Sequence, residues 1–185
     1  MRSVSQMFCE TVSIVLPVRN AQRWLHSCLL GLEREMPAIF DAAFEVIVVD
    51  DASVDRSLIV LDDMRLRFPF LQVILHSAEK GLEAAAETGL ASASGELLFI
   101  LERGGYLDAQ IIRSLYELST DSDIVAARYQ SNPDADQSGG PTLQMIRRSA
   151  LARIAQSEQG SLDLVGETIQ QPWRTGATEQ LPLAA

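Results

Sequence analysis

Short apolar runs alternate with amphipathic stretches along the first two thirds of the chain. The runs are rich in Val, Ile and Leu and lack polar alternation, which is typical of strands that are covered on both faces. The stretches between them place apolar side chains at helical spacing, which predicts helices that pack one face against a sheet. The pattern predicts strands at 13–18, 44–49, 71–76, 96–101 and 123–128, and helices at about 20–35, 55–67, 81–93 and 108–118.

Polar residues and a proline mark the ends of the predicted helices. Asn20 and Asp108 stand at the start of the first and fourth helices, where a side-chain oxygen can cap free backbone N–H groups. Pro69 follows the second helix and is expected to stop it, because proline cannot continue a helix. Strands and helices that alternate in this way predict an α/β fold with a doubly wound, mostly parallel central sheet flanked by helices.

The pattern weakens after residue 130. Residues 131–141 are rich in turn formers and predict a loop, which precedes a further strand at 142–146 and a short helix at 148–155. The 185 residues fit a single domain that is large enough to bury a substantial core. We divide this domain into a core over 12–130, the loop, and a final segment over 142–185.

The charge of the chain narrows the classes of partner. It carries 15 Lys and Arg residues against 25 Asp and Glu residues, a formal net charge of −10. Electrostatic binding of nucleic acid or anionic lipid needs a basic surface, so neither is expected as a partner. No apolar run reaches the roughly 18 residues that a membrane span requires, and the N-terminal stretch does not look like a secretory signal. We therefore expect a cytoplasmic protein in which Cys9 and Cys28 are reduced thiols.

Two adjacent carboxylates stand at the end of the second predicted strand. Ligands of open α/β sheets bind beyond the carboxyl ends of the strands, and Asp50 and Asp51 follow an apolar strand there. A carboxylate is costly to bury unless it is hydrogen-bonded or used. Two interpretations remain open: one carboxylate points into a ligand crevice, or both cap the next helix and organise the turn.

Several motifs in consistent order resemble one enzyme family. The chain contains SIVLPVRN, then FEVIVVDDASVDRS about thirty residues later, then KGLEAAAETGLASASGELLFIL, DIVAARY and MIRRSAL. Over roughly residues 12–155 these strings are similar to the motifs of family 2 glycosyltransferases of the GT-A fold. The family counterpart of the second string reads V-V-D-D-G-S-x-D-x-T. The resemblance implies a GT-A domain that takes a nucleoside-diphosphate sugar, linked to UDP or GDP.

The resemblance also implies which residues hold the nucleotide. By position, Pro17, Arg19 and Asp51 line the base pocket, Asp50 lies beside them, and Lys80 is able to approach a phosphate. Arg19 replaces an aromatic residue that packs against the base in the family. A guanidinium can also stack on a base, so the replacement is compatible with nucleotide binding.

The chain departs from the family at the metal site. Family members end the fourth strand in Asp-x-Asp, whose carboxylates hold Mn²⁺ or Mg²⁺ on the diphosphate, whereas this chain reads Glu102-Arg103-Gly104-Gly105. One carboxylate beside an arginine is a poor substitute for several oxygen ligands. We therefore expect the metal site to be lost, and we assign no metal or other cofactor.

Two interpretations of the function follow from this departure. In the first, Arg103 replaces the charge of the metal and Gly104 lets backbone N–H groups approach a phosphate, so that transfer is metal-independent or impaired. Asp163 and Glu167 are then weak candidates for the catalytic base. In the second, the protein is a non-catalytic pseudoenzyme that binds a nucleotide or a protein partner. A homo-oligomer is compatible with either.

The remaining candidate residues are interpreted as structural. His26 and His76 form no triad with a Ser or Cys. Arg147 and Arg148 could contact a phosphate, but a solvated pair at a helix start is the commoner arrangement. Trp173 is expected to pack rather than to serve as a platform for an acceptor.

Overall fold

Seven strands form one sheet in the part of the chain that the computed structural model describes, residues 11–40, 43–101, 109–130, 142–154 and 173–174. The spatial order of the strands is β3-β2-β1-β4-β6-β5-β7. The strands are β1 (Val12–Val18), β2 (Phe44–Asp50), β3 (Leu71–Leu75), β4 (Leu97–Leu101), β5 (Ile124–Gln130), β6 (Thr142–Arg147) and β7 (Trp173–Arg174). The helices are α1 (Leu25–Ile39), α2 (Ser57–Arg65), α3 (Leu82–Ser92), α4 (Ala109–Leu118) and α5 (Arg148–Ile154).

The sheet is mostly parallel, as the alternation of strands and helices predicts. β1 pairs in parallel with β2 and β4, and β3 pairs in parallel with β2. β6 lies between β4 and β5 and is antiparallel to both, so that β1 to β5 all run in one direction. β7 is antiparallel to β5. The predicted doubly wound α/β fold is confirmed.

Helices cover both faces of the sheet, and the two faces use alternate residues of each central strand. Ile14 and Leu16 of β1 belong to the core that lies under α1, α2 and α4, whereas Val15 packs under α3 on the other face. All seven residues of β1 are buried, which explains why its sequence shows no polar alternation. Gly89 of α3 lies so close to Val15 that a Cβ at this position would overlap the valine side chain. None of the helices in the described ranges has the length and apolar composition needed to cross a bilayer.

The first helix begins later than the sequence pattern predicts. α1 starts at Leu25 without a side-chain capping bond, so the prediction that Asn20 caps this helix is wrong. Asn20 instead has a φ of 51°, and its amide oxygen accepts a hydrogen bond from the N–H of Val54 at 3.0 Å. The helix also extends to Ile39 rather than ending near residue 35. Asp108, the other predicted cap, lies outside the described residues.

The arginine pair at the junction of β6 and α5 is partly buried and bonded to backbone carbonyl oxygens, which corrects the prediction of a solvated pair. Arg147 donates hydrogen bonds to the carbonyl oxygen of Ile124, at 3.0 Å, and to that of Ser119. Arg148 donates to two carbonyl oxygens that follow α3, at 2.6 and 2.7 Å. Both guanidinium groups therefore satisfy backbone groups that would otherwise lack partners, and they fasten β6 and α5 to the rest of the domain.

A polar cluster fastens the amino ends of the strands. Glu45 of β2 accepts hydrogen bonds from the Ser13 hydroxyl and from the N–H and hydroxyl of Ser94, each at 2.7 Å. The Ser13 hydroxyl accepts in turn from the N–H of Gly95 at 2.8 Å. Burial alone would raise the pKa of Glu45, but these hydrogen bonds outweigh burial and hold the pKa below its usual range. The cluster lies at the sheet edge opposite the one where a ligand is expected.

Candidate functional site

The carboxyl ends of β1, β2 and β3 meet at one edge of the sheet, beside the point where the strand order reverses between β1 and β4. Ligands of open α/β sheets bind in the crevice at such a reversal. Loops 19–24, 51–56 and 76–81 leave the sheet at this edge. Residues 102–108 follow β4 and lie outside the described residues, and they include the candidates Glu102, Arg103 and Gly104.

The first two of these loops are fastened to each other by hydrogen bonds between side chains and backbone. The Ser53 hydroxyl accepts from the N–H of Asn20 at 2.9 Å, and the Ser57 hydroxyl accepts from the N–H of Ala21 at 2.7 Å. Asp55 accepts from the N–H and the hydroxyl of Ser57 at 2.8 and 2.5 Å. One of these bonds joins the two loops directly, and the others tie both loops to Ser57 at the start of α2, so the two loops are held together beside the end of β2.

Asp51 anchors the third loop. Its carboxylate is fully buried; Oδ1 accepts hydrogen bonds from Nδ1 of His76 and from the N–H of Lys80, both at 2.8 Å, and Oδ2 accepts from the N–H of Gly81 at 2.7 Å. Burial alone would raise the pKa of Asp51, but the bonds from His76, Lys80 and Gly81 outweigh burial and lower it. Both oxygens of Asp51 are therefore engaged within the protein.

Asp50 has a different environment. Its Oδ2 accepts a hydrogen bond from the N–H of Ser53 at 2.9 Å, but its Oδ1 is buried and has no hydrogen-bond partner in the described part of the chain. The residue is only 1% exposed. An ionised oxygen that is removed from water without a partner is energetically costly. Of the two carboxylates, Asp50 is the one with unused hydrogen-bonding capacity.

The contact between Asp51 and His76 was not predicted. Asp50 and Leu75 are register partners in the parallel pair of β2 and β3, so the residues that follow them lie side by side. His76 is buried, and its Nε2 lies 3.0 Å from Oγ1 of Thr88 in α3. A polar residue directly after each of two apolar strands is the signal that could have identified this contact, once the strands are known to be neighbours.

The other base-pocket candidates surround the same edge. Pro17 is buried within β1 opposite Val49 of β2. Arg19 follows β1 and forms an ion pair with Glu79 of the third loop. Lys80 places its backbone N–H on Asp51, while its side chain is exposed. The fold thus brings the candidates at the ends of β1, β2 and β3 to one edge, with Arg19 and Glu79 bridging the first and third loops.

The candidates for a metal site and for a catalytic base are not among the described residues. Asp163 and Glu167 are outside the described residues, as is the segment that replaces the Asp-x-Asp motif. Across the described ranges, no three His, Cys, Asp or Glu side chains come together in a way that could hold a metal ion. The loss of the metal site therefore stays a prediction from residues 102–105.

Three curated relatives each match about two thirds or more of this chain. The glycosyltransferase GlyG of Streptococcus pneumoniae is 28% identical over 130 residues, which are 69% of this chain and 42% of the relative. The uncharacterized glycosyltransferase EpsJ of Bacillus subtilis is 29% identical over 139 residues, which are 74% of this chain and 39% of the relative. The dolichol-phosphate mannosyltransferase of Pyrococcus furiosus is 28% identical over 64% of this chain and 33% of the relative. The chain thus spans less than half the length of each.

Solved structures with the same fold include two that hold nucleotides. The mannosyltransferase PcManGT from Pyrobaculum calidifontis, in complex with GDP-Man and Mn²⁺, aligns with a TM-score of 0.64 and 18% identity over 80% of this chain and 47% of its own. Glucosyl-3-phosphoglycerate synthase from Mycobacterium tuberculosis, in complex with Mn²⁺, UDP and glucosyl-3-phosphoglycerate, aligns with a TM-score of 0.50 and 21% identity over 63% of this chain and 42% of its own. At these identities the likeness shows the fold.

A family-level match covers most of the chain. Residues 13–166 match the family described as Glycosyl transferase family 2. This range contains the strand-end carboxylates, the anchored third loop and the segment that replaces the Asp-x-Asp motif. The match, the relatives and the GT-A architecture agree with one another, and the chain belongs to glycosyl transferase family 2.

Proposed function

We propose that this domain binds a nucleoside-diphosphate sugar at the carboxyl ends of β1, β2 and β4, and that its transfer activity is impaired or independent of metal. The observation that carries the proposal is that Oδ1 of Asp50, at this edge, has no hydrogen-bond partner among the described residues. Buried polar groups in folded proteins almost always have a partner, so this oxygen is suited to accept a hydrogen bond from a ligand.

The chemistry of Asp50 fits the base or ribose of a nucleotide. A carboxylate oxygen accepts only, so its ligand partner is an N–H or O–H group, such as the ring N–H of uracil or guanine or a ribose hydroxyl. Pro17 and Arg19 flank this position at the end of β1, and the Arg19 guanidinium is able to stack on a base. Asp51 then acts as the anchor of the third loop instead of as a contact to the base.

The diphosphate needs positive charge from somewhere other than the overall field of the protein. The chain has a net charge of −10, and Glu102 and Gly104 stand where the family places its aspartates. Arg103, within the segment that aligns with the family's diphosphate-binding motif, and Lys80 of the third loop are the cations proposed to meet the diphosphate. Backbone N–H groups at Gly104 add donors that need no side chain. In this proposal an acceptor hydroxyl attacks the anomeric carbon, the bond from that carbon to the diphosphate breaks, and the nucleoside diphosphate leaves. Asp163 or Glu167 takes the proton of the hydroxyl.

A non-catalytic role is the second candidate, and the residues after β4 favour it. Replacement of the Asp-x-Asp motif by Glu102-Arg103-Gly104 removes groups that stabilise the charge of the departing diphosphate. In this alternative the Asp50 end of the site still binds a nucleotide, but no sugar is transferred.

Thermal unfolding with ligands tests the site. UDP, GDP, a UDP-sugar and a GDP-sugar are each added with Mn²⁺ or with EDTA, and binding raises the Tm because it stabilises only the folded state. We expect one nucleotide series to raise the Tm equally in EDTA and in Mn²⁺. Absence of any shift overturns the nucleotide site, and a shift that requires Mn²⁺ overturns the loss of the metal site.

Matched variants locate the binding and separate the two candidates. Asp50→Asn is expected to abolish the ligand shift, whereas Asp62→Asn, an exposed carboxylate on α2, keeps it. Release of nucleoside diphosphate from the sugar donor in EDTA then distinguishes metal-independent transfer from a non-catalytic role. If Arg103 replaces the metal, Arg103→Ala lowers both affinity and release; unchanged affinity excludes its contact with the diphosphate.

A further inference from the structure

A buried chain of hydrogen bonds connects Asp51, His76 and Thr88 behind the proposed nucleotide site. Nδ1 of His76 lies 2.8 Å from Oδ1 of Asp51, and Nε2 lies 3.0 Å from Oγ1 of Thr88. The side chains of His76 and Asp51 are 4% and 0% exposed. Water therefore has little access to either end of the imidazole, and the hydrogens that it carries are set by its protein partners.

The hydrogens of this chain can be counted. A carboxylate accepts only, so Nδ1 of His76 donates to Asp51. The Thr88 hydroxyl also lies 2.8 Å from the carbonyl oxygen of Ala84, which only accepts. With its single hydrogen directed to Ala84, the hydroxyl accepts from His76, and Nε2 donates as well. Both ring nitrogens then carry hydrogens, which is the imidazolium form of histidine.

The same carboxylate holds the loop that borders the site. Besides the imidazole, Asp51 accepts the N–H groups of Lys80 and Gly81. The residue before them, Glu79, forms the ion pair with Arg19 at the end of β1. The position of Glu79 and Arg19 at the edge of the site therefore depends on the geometry of Asp51.

We propose that His76, as an imidazolium, is a positioning residue that acts through Asp51 to hold loop 76–81 against the nucleotide site. The functional consequence of this inference rests on the proposed nucleotide site. The protonation of the ring and the order of the loop can be tested without it. Asp51, His76 and Thr88 do not have to contact the nucleotide for this role.

Loss of the proton from His76 changes the hydrogen bonds at both ring nitrogens. The Thr88 hydroxyl must turn away from Ala84 to donate to Nε2. The buried carboxylate of Asp51 is then bonded to a neutral ring instead of to a cation. The segments that neighbour His76 carry Asp50 and Asp51 at the end of β2, Glu79 and Lys80 on the loop, and Glu83 and Glu87 on α3. A neutral ring makes a weaker hydrogen bond to the Asp51 carboxylate than an imidazolium does, so loss of the proton weakens the anchor.

Nitrogen-15 NMR of the two histidines tests the protonation directly. The chain has two histidines, and exposed His26 on α1 is the internal control for buried His76. Between pH 5.5 and 7.5 we expect hydrogens on both ring nitrogens of His76 at the lower pH. We also expect the amide protection factors of Lys80 and Gly81 to fall as the ring loses one. A single N–H on His76 at pH 5.5 overturns the proposal, as does protection that does not follow the ring.

Variants of Thr88 separate a positioning role from a purely structural one. Thr88→Val keeps the shape of the side chain but removes the acceptor for the Nε2 hydrogen. As the pH rises, the variant ring should therefore lose its second hydrogen at a lower pH than the wild-type ring. Thr88→Ser restores the hydroxyl and should restore the wild-type behaviour. Ser92→Ala removes a similar hydroxyl bond to a helix carbonyl one turn later and should leave His76 unchanged. Equal behaviour of Thr88→Val and Thr88→Ser overturns the count of hydrogens.

Nucleotide affinity measured against pH tests the functional consequence. The ligand is whichever UDP- or GDP-sugar binds, because its diphosphate diester does not titrate in this range, unlike a terminal phosphate with a pKa of about 6. We expect the affinity to fall roughly tenfold from pH 5.5 to 7.5, equivalent to one charge-assisted hydrogen bond. His76→Gln should bind weakly at every pH. A protein that binds nucleotide with no pH dependence overturns the positioning role; a protein that shows the imidazolium but binds no nucleotide overturns the nucleotide site instead.

Discussion

Asp50 and Asp51 are consecutive residues, yet their carboxylates lie in opposite hydrogen-bond environments. Asp51 accepts three hydrogen bonds from the third loop, whereas Asp50 accepts one from Ser53 and leaves Oδ1 without a partner in the described chain. Successive side chains of a strand point to opposite faces of the sheet, so the carboxylates of Asp50 and Asp51 point in opposite directions at the end of β2. One carboxylate holds the third loop, and the other has an oxygen without a partner among the described residues.

This division predicts opposite effects on stability. Asp51→Asn removes the charge that three buried donors require, and it should lower the free energy of unfolding by about 2 to 4 kcal/mol. Asp50→Asn still accepts from Ser53 and removes a desolvated charge, so the change should stay within about 0.5 kcal/mol. Urea unfolding followed by circular dichroism measures both, with exposed Asp62→Asn as the control. Equal losses at Asp50 and Asp51 would contradict the division.

Two helical glycines should respond in opposite ways to alanine. A Cβ at Gly89 overlaps Val15 and lies 3.2 Å from Cγ2 of Val49, whereas a Cβ at Gly31 in α1 meets nothing within 4 Å. Gly89→Ala should therefore destabilise the fold by about 1 to 3 kcal/mol through overpacking. Gly31→Ala should stabilise it by up to about 1 kcal/mol, because alanine favours the helix. The same urea titration decides, and a stable Gly89→Ala would refute the close contact of α3 with β1.

Local pattern predicts most of the fold, because each buried strand carries its own signature. The apolar runs identify the parallel strands to within two residues at each end. The apolar runs do not show which strands pair with each other. The position of β6 between β4 and β5 was therefore not predicted. The start of α1 was wrong for a different reason. Asn20 can cap a helix or adopt a positive φ, and its contact with Val54, a residue distant in sequence, decides between them.

The site is predictable in the same limited sense. The position of Asp50 and Asp51 after an apolar strand predicts the edge of the sheet where a ligand is expected, but it does not say which carboxylate has an oxygen without a partner in the described residues. That depends on donors from residues 76–81, which reach Asp51 only because β2 and β3 are neighbours. Arg147 and Arg148 show the same dependence, since their acceptors are carbonyl oxygens from other segments.

The buried thiol of Cys28 should be unreactive in the folded protein. Burial in the core under α1 raises the pKa of Cys28 to about 12, and the thiolate is the reactive form. In a Cys9→Ser background, a thiol reagent at pH 8 should modify Cys28 only as fast as the protein unfolds. The rate should rise with urea in step with the unfolded fraction. Rapid modification without urea would show that this part of the core is open.

Acid should destabilise the protein through three carboxylates whose pKa values are lowered. Burial opposes the shift in Glu45, Asp51 and Asp55, but hydrogen bonds outweigh burial in each. The unfolded chain takes up these protons near the ordinary pKa of about 4, and the folded chain takes them up only at lower pH. Between the two the unfolded state binds more protons, so the stabilisation is complete above about pH 5 and is lost as the pH falls through the lowered values.

The Tm measured from pH 7 to pH 3 checks the sign and the residues. The wild-type Tm should fall steeply below about pH 4.5. Asp51→Asn and Asp55→Asn should start from a lower Tm and lose less of it over the same range, because the group that takes up the extra proton is gone. Asp62→Asn, which is exposed, should keep the wild-type slope. A slope that is the same in all four proteins would mean that the hydrogen bonds to Asp51 and Asp55 do not stabilise the ionised carboxylates.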